Sequence, residues 1–301
     1  MAFYGEIAAL VTSACWAFNS VVFTQAGKRV GAVTVNNMRL WAAFPALLLL
    51  HQLLFGAPFP FAIEPSRFFH LGLSGLIGFV IGDGMLFESF LLIGPRLAML
   101  LALLVPVFSA LLAWIFLGET LRLPEIFSIL LTIGGVAWVV AEETAPVAEP
   151  ASGPPRKHRL GIWLAAGGAA GQAVGLLFSR MGLAGGYSAI SATLVRVGVA
   201  GLALALLSLG QGELRAQLVK MRDRTAMLQI AAGALTGPVL GVTLSLVAIA
   251  HAHIGVASTL MSLTPVLLLP VSHFLFKERI TSRAVLGTLV ALIGVILLFL
   301  T

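Results

Sequence analysis

The sequence predicts an all-α integral membrane protein: ten transmembrane helices, built as two inverted five-helix repeats around a central cavity. Three observations carry that prediction. Of 301 residues, 59% are hydrophobic and only 10% charged, with a mean hydropathy of +1.04, which is too apolar for a domain whose surface faces water. The apolar runs are about 20 residues long, the length a helix needs to cross about 30 Å of hydrocarbon, whereas barrel strands are shorter and alternate. Finally, the chain repeats itself. PVFSALLAWIFLGETLRLPEIFSILLTIGG from Pro106 aligns with PVLLLPVSHFLFKERITSRAVLGTLVALIG from Pro265, so Pro106 and Pro265, Glu119 and Glu278, and Gly135 and Gly294 each stand 159 positions apart. The same offset places Gly78 and Gly82 on Gly237 and Gly241.

Breakers divide the chain into its spans. In the first half, residues 1–141, they run from about Gly5 to Ala26, Val35 to Phe55, Phe69 to Leu92, Arg96 to Phe116 and Pro124 to Ala141. In the second half, residues 160–301, they run from about Leu160 to Met181, Ala189 to Leu209, Ala226 to Ala250, Ile254 to Phe276 and Arg283 to Leu300. Between them, residues 142–159 are rich in Pro, Ala and charge and cannot pack a core, which makes them a linker. MAFYGE lacks the basic start of a cleavable signal.

Five spans is an odd number, so the second bundle must enter the bilayer facing the opposite way. Charge gives an independent check. With the N-terminus outside, Lys28, Arg29, Arg96, Arg156, Lys157, Arg159, Arg215, Lys220, Arg222, Arg224, Lys277, Arg279 and Arg283 all fall on the inner side. Only Arg67, Arg122 and Arg180 fall outside. By the positive-inside rule the linker is cytoplasmic and both termini lie on the periplasmic or extracellular side of a bacterial-type inner membrane. The formal charge of +6 therefore reports orientation, and nucleic acid is not implied as a partner. Cys15 is the single cysteine, so no intramolecular disulfide or Cys-based metal site is possible.

Ten helices in two inverted fives, each half carrying PVFSALLAWIFLGE-like punctuation with a Glu thirteen residues after the Pro, resemble the drug/metabolite transporter superfamily, and within it the EamA-type transporters. Trp16 in SACWAFNS matches a Trp common in the first helix of that family. The resemblance implies a secondary transporter of small metabolites, with amino-acid exporters among its members. In the amino-acid-exporting branch aromatics stand just ahead of the fourth-helix Pro, whereas this chain has Leu103, Leu104 and Val105.

Residue by residue, an inverted repeat offers two near-equivalent packings whose exchange moves a central site from one face to the other. Pro106 and Pro265, about ten residues into their helices, each remove a backbone hydrogen bond and free a carbonyl one turn back, making them candidate hinges or static kinks. Close packing is expected along Gly72, Gly75, Gly78, Gly82 and Gly84 and along Gly233, Gly237 and Gly241. Asp83 is the sharpest residue, since a carboxylate deep in a span faces a partner, a cavity or water. It suits a substrate ammonium, proton coupling, or a pair with Arg39. Glu88 points to another face and to the helix end.

Trp16, Asn19, Ser20 and Phe23 form one stripe of the first helix, and Gln172, Leu176 and Ser179 one of the sixth. Phe79, Met99, Leu103, Ser245, Ser258 and Ser262 complete a cavity with aromatic walls, neutral hydrogen-bonding groups and at most one charge, suited to small amphipathic solutes. Arg39, near its span's end, is expected to snorkel, while Arg196, deeper, suits a carboxylate. Glu119 and Glu278 read as interfacial pairs with Arg122 and Arg279.

Enzyme readings are weaker. Gly72-Leu73-Ser74-Gly75 resembles the Ser motif of rhomboid intramembrane proteases, with His251 and His253 as distant bases, but proteolysis leaves the duplication unexplained. Asp83 lacks the second Asp of an aspartyl dyad, and neither HExxH nor a paired-Asp motif occurs. No catalytic residue, metal ligand or cofactor is expected. The expected partners are a small-molecule substrate, membrane lipid and a coupling proton; a passive pore is the alternative, and monomer and homodimer both remain open.

Overall fold

The computed structural model describes residues 3–117, 122–143, 155–251, 260–277 and 280–300. Every regular element among them is helical. α1 (Tyr4–Val30) turns through Gly31, at φ 88°, into α2 (Ala32–Phe55), a left-side φ that glycine adopts without a Cβ penalty. α3 (Pro65–Gly75), a π-helical segment (Leu76–Gly82) and α4 (Asp83–Leu101) follow without interruption. α4 breaks internally at Gly94 (φ 77°, ψ 159°) ahead of Pro95, between the third and fourth expected spans. α5 (Leu104–Leu117) and α6 (Leu123–Glu143) complete the first half.

The second half repeats the scheme with α7 (Pro155–Leu183), α8 (Ala189–Gly210), the short α9 (Leu214–Lys220), α10 (Arg224–Ala234), a second π-helical segment (Leu235–Gly241) and α11 (Val242–His251). α12 (Thr264–Phe276) and α13 (Ser282–Leu300) close it. Among the described residues, seven helical stretches are long and apolar enough to cross a membrane, and three shorter apolar helices, Leu104–Phe116, Thr264–Phe276 and Ser282–Leu298, accompany them. α7 already begins at Pro155, so the last residues of the expected linker are helical; residues 144–154 lie outside the described residues.

The duplication is visible in the backbone. The two π-helical segments stand at the same 159-residue offset as the sequence repeat. In each, the N–H that follows reaches back five residues, Asp83 to the Gly78 carbonyl and Val242 to the Gly237 carbonyl. Widening the helix accommodates Pro238, which has no N–H to donate and whose ring would clash in a regular turn.

α6 and α13 pack antiparallel with their backbones almost touching. A Cβ on Gly135 would lie 2.4 Å from the Ala291 nitrogen, and one on Gly294 would lie 2.5 Å from the Thr132 nitrogen. Those two contacts exchange under the repeat, because Thr132 and Ala291 carry the same offset as Gly135 and Gly294. Thr281 donates to Glu142 (2.6 Å), so the start of α13 and the end of α6 share one end of the bundle.

That end also gathers the α1–α2 turn. Arg29 Nε donates to Asp223 at the N-cap of α10 (2.8 Å), and Lys28 lies over Phe276, 5.1 Å from the ring centroid. The largest apolar cluster sits just inside it, around Phe23, Phe87, Phe90, Leu97, Leu100 and Ile230.

Candidate functional site

Pro106 and Pro265 each disturb their helix where the missing N–H requires. Without an N–H on Pro106, the Ala102 carbonyl loses its helical partner and accepts from Val105 N instead (3.0 Å), producing the break between α4 and α5. Without one on Pro265, the Met261 carbonyl accepts from Thr264 Oγ1 (3.2 Å) at the start of α12. Ser262 lies in that break. The carbonyl expected to be freed one turn back is therefore recaptured at each site.

Around the first π-helical segment the structure builds a buried polar network across four helices. Asp83, the first residue of α4, is 5% exposed. Its Oδ2 accepts from Arg39 Nη2 on α2 and its Oδ1 from Gln172 Nε2 on α7. Arg39 also donates through Nε and Nη2 to Asn36 Oδ1 (3.0 and 2.9 Å), one turn earlier on α2. Asn36 Nδ2 in turn donates to the Phe79 carbonyl (2.8 Å), an oxygen the π-helical register leaves without Asp83 N–H. Phe87 and Phe79 flank the guanidinium at 4.7 and 5.7 Å. The other face of the network is Arg196 on α8, whose guanidinium lies 4.5 Å from the Phe79 ring centroid.

This arrangement corrects the expectation that Arg39 snorkels. Arg39 is 5% exposed and turned inward, where the Asp83 carboxylate and the Asn36 side-chain oxygen receive its N–H groups. Asn36 was missed as a site residue. Its signal was present in NNMR, where a polar residue one turn before Arg39 interrupts an apolar span.

The first-helix stripe meets the glycines of the eighth span. Trp16 Nε1 lies 3.2 Å from where a Gly241 Cβ would be, Asn19 Nδ2 2.5 Å from one on Gly237, and Phe23 Cε1 2.3 Å from one on Gly233. Thr236 Oγ1 donates to Asn19 Oδ1 (2.6 Å). The glycines are therefore sockets for the stripe. In the corresponding contact between α7 and the first π-helical segment, backbone meets backbone, with Gly175 packed on Gly78 and Gly171 on Gly82.

The remaining candidates disperse. Ser20 and Ser245 donate to carbonyls of their own helices, Ala17 (2.8 Å) and Val242 (2.7 Å). Ser179 is buried on α7, Leu103 is in the main apolar cluster, and Met99 packs against that cluster and against the one around Leu268. Ser258, His253, Glu119 and Glu278 lie outside the described residues. Ser74 donates to the Gly175 carbonyl (2.5 Å), a bond between helices rather than to a base.

Two further polar features stand at the ends. A cavity of about 310 Å³ opens beside the α1–α2 turn, lined by Gly31, Thr34, Glu88, Glu213, Gln217 and Lys220. At the opposite end His51 contacts Ser191 Oγ (2.9 Å) and the Ala57 carbonyl (2.6 Å), while Arg67 donates to the carbonyls of Gly182 and Ala184 (both 2.7 Å) and stacks on Tyr187. Among the described residues no group of His, Cys, Asp and Glu is placed to hold a metal ion.

The profile of the EamA-like transporter family matches residues 3–141 and again residues 159–300. A solved crystal structure of a protein shares the fold, with a TM-score of 0.62 at 18% identity over 97% of this chain and 95% of that one. No curated protein matches the sequence.

Proposed function

Because the chain belongs to the EamA-like transporter family, and so is a multi-pass membrane transporter of small molecules, we propose that it exports small amphipathic metabolites, amino acids foremost, by alternating access. In this reading the seven long and three shorter apolar helices are ten spans of an inner-membrane protein, five in each orientation. The exchange of Gly135–Ala291 contacts for Gly294–Thr132 contacts supports the inversion, since an antiparallel pair related by the repeat needs a two-fold axis across the helices.

One observation carries the transport reading. Helix interruptions stand in corresponding places in both halves, a π-helical segment in each and a proline break in each. Interrupted helices at matching depths let either half take the bent or the straight form, which two nearly equivalent packings require. Pro106 and Pro265 are the hinges in this account. Trp16, Asn19, Phe79, Asp83 and Gln172 line the pathway between them, and protonation of Asp83 releases Arg39 and couples export to proton entry.

The test is counterflow. Proteoliposomes preloaded with unlabelled L-amino acids should accelerate uptake of the labelled one, and a pH gradient should drive it. Flux without trans-stimulation would replace the carrier with a pore. In Asp83→Asn, counterflow should persist while the pH gradient loses its effect.

A further inference from the structure

The network around Asp83 holds two guanidinium groups and one carboxylate. Both oxygens of that carboxylate are occupied, Oδ2 by Arg39 and Oδ1 by Gln172. Arg196 is left over. Its Nε is buried and meets no hydrogen-bond partner among the described residues, and none of the ion pairs among them includes it. The Phe79 ring supports the guanidinium from one side at 4.5 Å. Gly78 presents only backbone beside it, Nη2 lying 3.6 Å from where a Gly78 Cβ would stand.

A cation held this way is expensive in a bundle interior unless something compensates it. Stacking on an aromatic ring engages the face of the guanidinium and leaves its N–H edge to donate. That edge is a planar fork matched to a carboxylate, with charge-assisted bonds that are stronger than neutral ones.

We propose that Arg196 binds the carboxylate of the transported solute, so that the substrate class is small amphipathic acids, recognised at the carboxylate rather than at an ammonium. This rests on the reading of the chain as a carrier of such solutes. It sharpens that reading, because Asp83 is already engaged by Arg39 and Gln172, whereas the Arg196 Nε has no partner of its own among the described residues. An acid without an amino group should therefore bind as its amino acid does, and an amino acid amide should not.

The full chain, purified in detergent at neutral pH, is tested by thermal unfolding against three matched sets of probes. These are L-leucine and L-phenylalanine, their carboxamides, and the deaminated acids 4-methylpentanoate and 3-phenylpropanoate; flux of the same compounds is followed in proteoliposomes. Both kinds of acid should raise the unfolding midpoint, and the carboxamides should bind about 10- to 100-fold more weakly, the value of a charged hydrogen-bonded contact. Arg196→Gln should erase the difference, and Arg196→Lys should keep part of it, since the charge remains but the fork is lost.

Should Arg196→Gln fail to fold, the acid-against-amide comparison in the unaltered chain decides alone. Equal binding of acids and carboxamides, stabilisation by none of the acids, or a preference for acids that survives in Arg196→Gln would overturn the assignment. Arg196-dependent binding of acids with no flux would instead remove the transport reading and leave this site standing. Flux indifferent to the carboxylate would do the reverse.

Discussion

At the scale of single residues, the energetics of the bundle interior turn on Asp83 and Arg39. Removing one member of a buried pair strands the other, at a cost of about 3–5 kcal/mol, whereas replacing both with uncharged groups of similar size is often close to neutral. Asp83→Asn should therefore lower the unfolding midpoint in detergent, as should Arg39→Met, and the double variant should recover most of the loss. Additive losses would show that the two side chains do not depend on each other. The carboxylate was legible in the sequence because a charge in the middle of an apolar run needs a reason. The pair with Arg39 was one of its three readings and is the one the structure shows, although Arg39 itself was expected elsewhere. Counting residues from the helix end made Arg39 a snorkelling side chain, but hydropathy records depth along a span and not rotation about its axis. Arg39 faces inward because Asn36 and Asp83 are there to receive it.

At the scale of elements, glycines that look alike in sequence separate by what faces them. Gly134 and Gly135 are neighbours on α6. A Cβ on Gly135 would meet the Ala291 nitrogen at 2.4 Å and the Gly287 carbonyl at 2.8 Å, whereas one on Gly134 meets nothing within 4 Å. Backbone cannot move aside as a side-chain tip can. Gly135→Ala should cost about 1–3 kcal/mol as an overpacked contact. Gly134→Ala should be neutral or stabilising by up to about 1 kcal/mol through helix propensity. Thermal unfolding of the two variants checks this, and equal effects would refute the close α6–α13 approach. The repeat offset marked Gly135 and Gly294 as equivalent before any contact was known, and it aligned Gly78 and Gly82 with Gly237 and Gly241. It could not reveal that the intervening turns are π-helical. In the first half a tertiary partner, Asn36, takes the Phe79 carbonyl, which no offset records; in the second the wider turn accommodates the local ring of Pro238. The prolines did announce their breaks, although not that Val105 and Thr264 would take up the freed carbonyls.

At the scale of the whole molecule, the ends of the bundle differ in charge, and the positive-inside rule turns that difference into a prediction of orientation. Lys28, Arg29 and Lys220 cluster about the α1–α2 turn, with Arg222 and Arg224 flanking Asp223 and Lys277 following Phe276 at the same end. At the other end Arg67 is turned onto the carbonyls that finish α7, where it caps a helix and stacks on Tyr187. Lys and Arg resist translocation, so the end rich in them is expected to stay cytoplasmic. α1 runs from Tyr4 towards that end, and α13 starts there beside Glu142 and runs away from it. Both termini should then face outward. A phosphatase that folds only outside the cytoplasm, fused after Thr301, should be active, and a fluorescent reporter that matures only inside should stay dark. The opposite pair of results would turn the molecule over. It would also place the cavity beside Glu88, Glu213 and Lys220 on the outer side of the membrane.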